Sequence, residues 1–138
     1  MVKLEILQKR MKKAHEYLGY LKDIRAKNDK EEFKKDPMVF GSTERFLHLA
    51  IEALLDIGNH IISDQNLGEV EFYKDIPELL YKNEYLDKNQ KDVFVKITGF
   101  RNILVHDYLE IDYDIVYSIL NNNLDDLESI LKEYAKLL

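Results

Sequence analysis

The sequence has no cysteine at all, and only five glycines and two prolines among its 138 residues. Without cysteine there is no disulfide framework, no thiolate nucleophile, no cysteine-ligated iron–sulfur cluster and no cysteine-bound structural zinc, while the redox compartment stays open. Neither G-x-x-x-x-G-K nor G-x-G-x-x-G occurs, which excludes nucleotide binding through those loops. No apolar run approaches the roughly 20 residues needed to cross a bilayer. The N-terminal MVKLEILQKRMKKAH interrupts its apolar positions with charges and offers no secretory core or cleavage site. A membrane role is therefore not expected, and a cytoplasmic location is. Basic residues are outnumbered, 20 against 26 acidic, for a net charge of −6. The field of the whole molecule opposes broad, non-specific binding to nucleic acid or anionic membrane, and leaves room only for a local basic cleft.

What is present reads as helix. The length, with 46% hydrophobic and 33% charged residues, fits one compact domain over residues 1–138. Apolar residues recur every three or four positions at Leu4, Leu7, Met11, Ala14, Leu18, Leu21 and Ile24, which predicts a long first helix ending near Lys27. Residues 28–41, with Pro37, read as a loop or irregular link. Ser42 or Thr43 is the expected cap of a second helix with its inner stripe at Phe46, Leu49, Ala50, Ala53, Leu54, Ile57 and Ile61, stopping near Ser63. A short third helix is expected around Pro77, Leu79 and Leu80, with Leu86 in its inner face. A fourth runs from about Gln90 to Val105 on Val93, Phe94, Ile97, Phe100, Ile103 and Leu104. Asp112 or Asp114 is expected to cap a last helix along Val116, Ile119, Leu120, Leu124, Leu127, Ile130, Leu131 and Tyr134. That stripe should carry it through Asn121, Asn122 and Asn123. The expectation is an all-α, antiparallel helical bundle of four to five helices.

The chemistry concentrates in GFRNILVHDYLEID, residues 99–112. Arg101 supplies a fixed cationic fork suited to a phosphate and to the charge that builds on its oxygens in a transition state. His106 supplies proton transfer. An imidazole with an ordinary pKa of about 6.5 can take a proton from an RNA 2′-hydroxyl or give one to a leaving 5′ oxygen. Such chemistry forms a 2′,3′-cyclic phosphate and selects RNA, because DNA lacks the internal nucleophile. Tyr108 can position phosphate or base, and Asn102 and Asp107 can orient their neighbours. At about 100° per residue, Arg101 and His106 stand about 140° apart on a regular helix. Either the helix loosens near His106, or two copies face one another in a symmetric dimer. A purely structural alternative pairs Arg101 with Asp107 or Asp112, makes His106 a helix-end residue and packs Tyr108 at the rim of the core.

The segment FRNILVHDYLEID resembles the HEPN superfamily, and within it the HepT-like toxins, through Arg101, His106 and Tyr108 in the R-x4-H-x-Y pattern with Asn102 and Asp107. ERFLHLAIEALLDIGNHII, residues 44–62, is similar to the family's second helix. The resemblance implies a HEPN-like bundle that forms a homodimer and cuts RNA in a shared Arg101/His106 cleft, with no metal and no cofactor. It further implies a toxin neutralised by a cognate minimal nucleotidyltransferase antitoxin that transfers AMP onto Tyr108, adding bulk and anionic charge beside Arg101. It also places Glu52 and Asp56 along the dimer cleft, where they would orient the catalytic groups or the antitoxin. A second reading is a non-catalytic helical dimer that binds a nucleotidyltransferase partner or nucleic acid, and a third is a structural dimer.

Other signals are plainer. His48, Glu52, Asp56 and His60 recur every fourth residue, but a rise of about 1.5 Å per residue puts the two histidines roughly 18 Å apart, too far to share one ion. Local pairs, His48 with Glu52 and Asp56 with His60, are expected instead. His15 and the basic KRMKK run at residues 9–13 read as a solvated helix face, with guidance of RNA as the alternative for the run. Tyr17, Tyr20, Tyr73, Tyr81, Tyr85, Tyr113, Tyr117 and Tyr134 are expected at core edges or interfaces.

Overall fold

The computed structural model describes residues 4–106 and 112–137, with side chains described as far as Asn102 and again from Asp112. Among the described residues there are seven helices: α1 (Leu4–Lys27), α2 (Lys30–Lys35), α3 (Pro37–Asp64), α4 (Asp75–Lys82), α5 (Lys88–His106), α6 (Tyr113–Asn122) and α7 (Leu124–Ala135). The all-α expectation holds. The expected count of four to five helices is corrected to seven, for two local reasons.

The first lies in the stretch expected to be a loop. There the Glu32 amide donates to Asp29 Oδ1 (2.9 Å) and the Asp29 amide donates to Glu32 Oε1 (3.2 Å), a reciprocal cap that starts α2. Phe33 anchors that helix in the core, its ring 5.5 Å from Phe40 and 5.4 Å from Tyr117. The second lies at Asn123, where φ −115° and ψ −1° part α6 from α7. The stripe from Val116 to Tyr134 is nevertheless buried on both sides. The Asn123 amide still donates to the Ile119 carbonyl (2.9 Å) and its own carbonyl accepts from the Leu127 amide (3.1 Å). The apolar register thus survives a one-residue departure that periodicity cannot register.

The starts of α3, α5 and α6 follow side-chain caps. α3 begins at Pro37, ahead of the expected Ser42 or Thr43, because Asp36 accepts from the Met38 amide (3.0 Å) and proline fits the first turn. Thr43 is buried within the helix, its hydroxyl donating to the Val39 carbonyl (2.8 Å). Asp87 and Gln90 exchange side-chain to amide bonds at 2.7 and 2.9 Å where α5 begins. Gln90 Nε2 also donates to Ser129 Oγ on α7 (2.7 Å). Asp112, of the two expected candidates, caps α6 by accepting from the Asp114 amide (2.8 Å). Asp114 instead pairs with Lys34 and Lys30 of α2 (2.8 and 3.2 Å), which hold its carboxyl below the usual carboxylate range.

α3 is the axis of the molecule and touches every other helix. Its buried face is wider than the expected stripe: Leu47, Ile51, Leu55 and Ile62 join Ala50, Leu54, Ile57 and Ile61. A helix enclosed on several sides spreads its apolar residues around the axis. Phe46 packs at the margin, 4.9 Å from Tyr20 and 6.3 Å from Tyr17. Tyr134 of α7 reaches the middle of α3, where its hydroxyl donates to the Leu54 carbonyl (3.0 Å) and burial pushes its pKa well up. Gly58 makes room for this approach: a Cβ there would lie 2.7 Å from the Tyr134 hydroxyl oxygen and 2.8 Å from Ile76 Cγ2. Among the described residues no helix is long and apolar enough to cross a membrane.

Candidate active site

Phe94, Ile97 and Phe100 bury one side of α5. That anchorage turns Thr98, Gly99 and Asn102 toward a cleft of about 840 Å³ between α3, α5 and the turn leading into α4. Arg101 borders this cleft with its side chain 13% exposed and its Nε donating to the Glu52 carboxylate of α3. Its guanidinium carbon lies 4.3 Å from the centroid of the Tyr73 ring, and its Nη1 donates to Asn102 Oδ1 (3.2 Å). The fork is thus held on one edge by a carboxylate and on one face by an aromatic ring, which fixes its plane.

Glu52 is shared: His48 Nε2 lies 3.7 Å from its Oε1, and Arg45 Nη1 lies 3.4 Å from His48 Nδ1. One turn further along α3, Asp56 pairs with Arg10 of α1, and His60 Nε2 lies 3.6 Å from its Oδ1. The His48–Glu52–Asp56–His60 series therefore forms the expected local pairs, each recruiting an arginine from another helix. Among the described residues no group of three or more His, Asp or Glu side chains is arranged to hold a metal ion.

The turn before α4 is built by Asp75. Its Oδ2 accepts from the amides of Glu71 (3.0 Å) and Phe72 (2.9 Å), and these bonds hold its carboxyl below the usual range. The turn presents Phe72 and Tyr73 to the cleft.

Of the residues singled out from sequence, Arg101, Asn102, Glu52 and Asp56 are brought to the cleft or its margin. His106 closes α5; its side chain, together with Asp107 and Tyr108, lies outside the described residues. Because α5 remains helical through His106, positions 101 and 106 stay about 140° apart around its axis, and loosening before His106 does not occur. Arg101 pairs with Glu52, while Asp112 is committed to capping α6. Two partners were missed by sequence reasoning. Tyr73, expected at a core edge or an interface, stacks on Arg101. Arg10 was expected on a solvated face, yet it pairs with Asp56. Both contacts join distant parts of the chain and leave no periodic trace; the adjacent aromatics just before a helix start were the available hint for Tyr73.

Fold and site together define an all-α protein with an oriented arginine at the edge of an open cleft, a class suited to binding and reacting phosphate esters. Residues 14–134 match the family described as Ribonuclease HepT-like, and the chain belongs to that family. It is 36% identical over 103 residues to the mRNA nuclease HepT of Shewanella oneidensis, covering 75% of this chain and 77% of that one. Its structure is similar to the tri-AMPylated HEPN toxin of Shewanella oneidensis solved in complex with an MNT antitoxin, with a TM-score of 0.87, 28% identity and coverage of 97% and 99% of the two chains. The solved structure of YutE, a cytosolic protein of Bacillus subtilis, shares the fold, with a TM-score of 0.75, 24% identity and coverage of 92% and 89%.

Proposed function

We propose that this chain is the toxin of a toxin–antitoxin pair: a cytoplasmic, metal-independent endoribonuclease, one domain over residues 1–138, whose working site is shared between two copies and silenced by AMP on Tyr108. The observation that carries this reading is the oriented Arg101 fork beside an open cleft, five positions before His106, in a HepT-like chain. The mRNA nuclease activity of the 36% identical relative and the antitoxin-bound, AMP-bearing state of the structural relative support it.

Arg101 binds the non-bridging oxygens of a phosphodiester and stabilises the charge that grows on them. Neutral His106 takes the 2′-hydroxyl proton as the 2′ oxygen attacks phosphorus. The bond to the 5′ oxygen breaks, and a protonated imidazole returns a proton to that oxygen, leaving a 2′,3′-cyclic phosphate and a 5′-hydroxyl. The angular separation of positions 101 and 106 on an unbroken α5 supports a site assembled from two protomers, in which both imidazoles reach one cleft. Glu52 and Asn102 keep Arg101 in its plane. In the silencing reaction the Tyr108 hydroxyl attacks the α-phosphorus of ATP and releases pyrophosphate. The product adds a phosphodiester to the motif that carries Arg101, an anion that competes with RNA for the cationic fork.

Purified, unmodified protein is expected to cut RNA in EDTA and to yield cyclic phosphate ends. Arg101→Ala and His106→Ala, prepared identically, are expected to lose cleavage while keeping the helical far-UV spectrum. Production together with a cognate minimal nucleotidyltransferase is expected to add AMP mass to the peptide that contains Tyr108. Undiminished cleavage by His106→Ala overturns the mechanism.

A further inference from the structure

We propose that Tyr73, with Phe72 beside it, is the stacking platform of a nucleobase subsite next to the cleaved phosphate, and that this subsite selects an unpaired base carrying an exocyclic amine. The inference rests on the ribonuclease reading above and names the part of the substrate that the cleft recognises.

Phe72 is 61% and Tyr73 42% exposed, so neither ring is spent on the core. Their backbone is nonetheless fixed. Besides the two amides held by Asp75, the Asp75 amide donates to the Phe72 carbonyl (3.0 Å) and the Ile76 amide to the Tyr73 carbonyl (3.1 Å). Exposed aromatic rings on a rigid turn at the mouth of a cleft match the way single-stranded nucleic acid is gripped, because every base offers a face for stacking. Tyr73 already lies 4.3 Å from the guanidinium carbon of Arg101. Base and phosphate in a nucleotide are one sugar apart, so a phosphate held by Arg101 brings an adjoining base within reach of this ring.

The other walls say which base. Glu52, Asp56 and Asn59 of α3 line the cleft across from the aromatic turn. Carboxylates repel a phosphate backbone there, but each has lone pairs beyond those used by its arginine and can accept from an amine on a base edge. Adenine, cytosine and guanine carry such an amine, and uracil does not. On α5, a Cβ added at Gly99 would meet nothing within 4 Å, so the remaining wall is open where a planar base would enter.

The test is cleavage of short RNAs that differ only in the base beside the scissile phosphate. Tyr73→Ala is expected to lower kcat/KM about 5- to 150-fold, mainly through KM, and Tyr73→Phe, which keeps the ring, is expected to lose far less than Tyr73→Ala. Uracil should be the poorest base for the wild type, and the preference should shrink in Tyr73→Ala. With an abasic nucleotide at that position the two proteins should cut alike; a deficit of Tyr73→Ala that persists there means the ring acts only through Arg101 and overturns the subsite. Gly99→Trp, which fills the cleft from the α5 wall without altering the turn, should raise KM in the same way. Equal kinetics for Tyr73→Ala and wild type, equal losses for Phe and Ala at position 73, or indifference to uracil overturns the proposal. Binding of non-cleavable 2′-O-methyl RNA separates the two readings. If the wild type binds but does not cut, the catalytic reading fails and Tyr73-dependent binding upholds the subsite. If the wild type cuts and position 73 is silent, the subsite fails and the nuclease stands.

Discussion

Glu52 of α3 and Arg101 of α5, 49 residues apart in the chain, are joined by a charged hydrogen bond at the edge of the cleft. The carboxylate meets Nε, so the terminal nitrogens of the fork are left to face other partners, one of them Asn102. Two helices must therefore be packed before the cationic group has an orientation, and activity should respond to changes on a helix that carries none of the R-x4-H-x-Y residues.

Replacing Glu52 with Gln keeps an acceptor and removes the charge. A hydrogen bond to a charged group contributes about 1.5–3 kcal/mol, and the partial exposure of this pair favours the lower end, which corresponds to roughly a tenfold loss of kcat. The check is single-turnover RNA cleavage alongside thermal melting. Unchanged kcat in a folded Glu52→Gln protein would show that Arg101 is oriented without it.

Gly58→Ala should destabilise the fold by about 1–3 kcal/mol, the usual cost of forcing a methyl group into a filled interior. Its Cβ would meet the Tyr134 hydroxyl and Ile76 at 2.7 and 2.8 Å. Urea unfolding measures this directly. Combining it with Tyr134→Phe, which removes the nearer atom, should cost less than the two single changes added together.

Tyr134 also sets an alkaline limit. Burial raises its pKa above the ordinary 10.0, so the folded protein keeps a proton that the unfolded chain releases. The stability from this group is fully present below pH 10 and declines above it by about 1.4 kcal/mol per pH unit. Unfolding free energies measured between neutral pH and pH 11 should show this decline, and Tyr134→Phe should lack that component.

Gly99→Ala should raise stability by roughly 0.5–1 kcal/mol, because it restores helix propensity within α5 at a position where the new Cβ meets nothing within 4 Å. A raised urea midpoint is the expected result, and a lowered one would place hidden packing at this site.

The sequence was most legible where one face alone is buried. The α6–α7 stripe from Val116 to Tyr134 is buried as its periodicity predicts. It was less legible for α3, whose burial on several sides dilutes the signal, so Leu47, Ile51, Leu55 and Ile62 fell outside the expected stripe. Short-range chemistry misled in both directions: the Asp29–Glu32 box makes a helix where charge suggested a loop, and Asn123 breaks one where apolar spacing suggested continuity. At the site, Arg101 was legible through its motif. Its stacking on Tyr73 was not, because it arises from the packing of α5 beside the pre-α4 turn, and its bond to Glu52 was foreseen only as far as the family resemblance set Glu52 to orient the catalytic groups.

The bond from Tyr134 to Leu54 spans 80 residues, and that span has a meaning in time. A ribosome adding 5–20 residues per second needs about 4 to 16 s to cover it. Throughout that interval the nascent chain carries Glu52 and, later, Arg101 without the helix that braces α3 from behind. The wall that α3 gives to the cleft is thereby left unbraced until the C-terminal helix has been made.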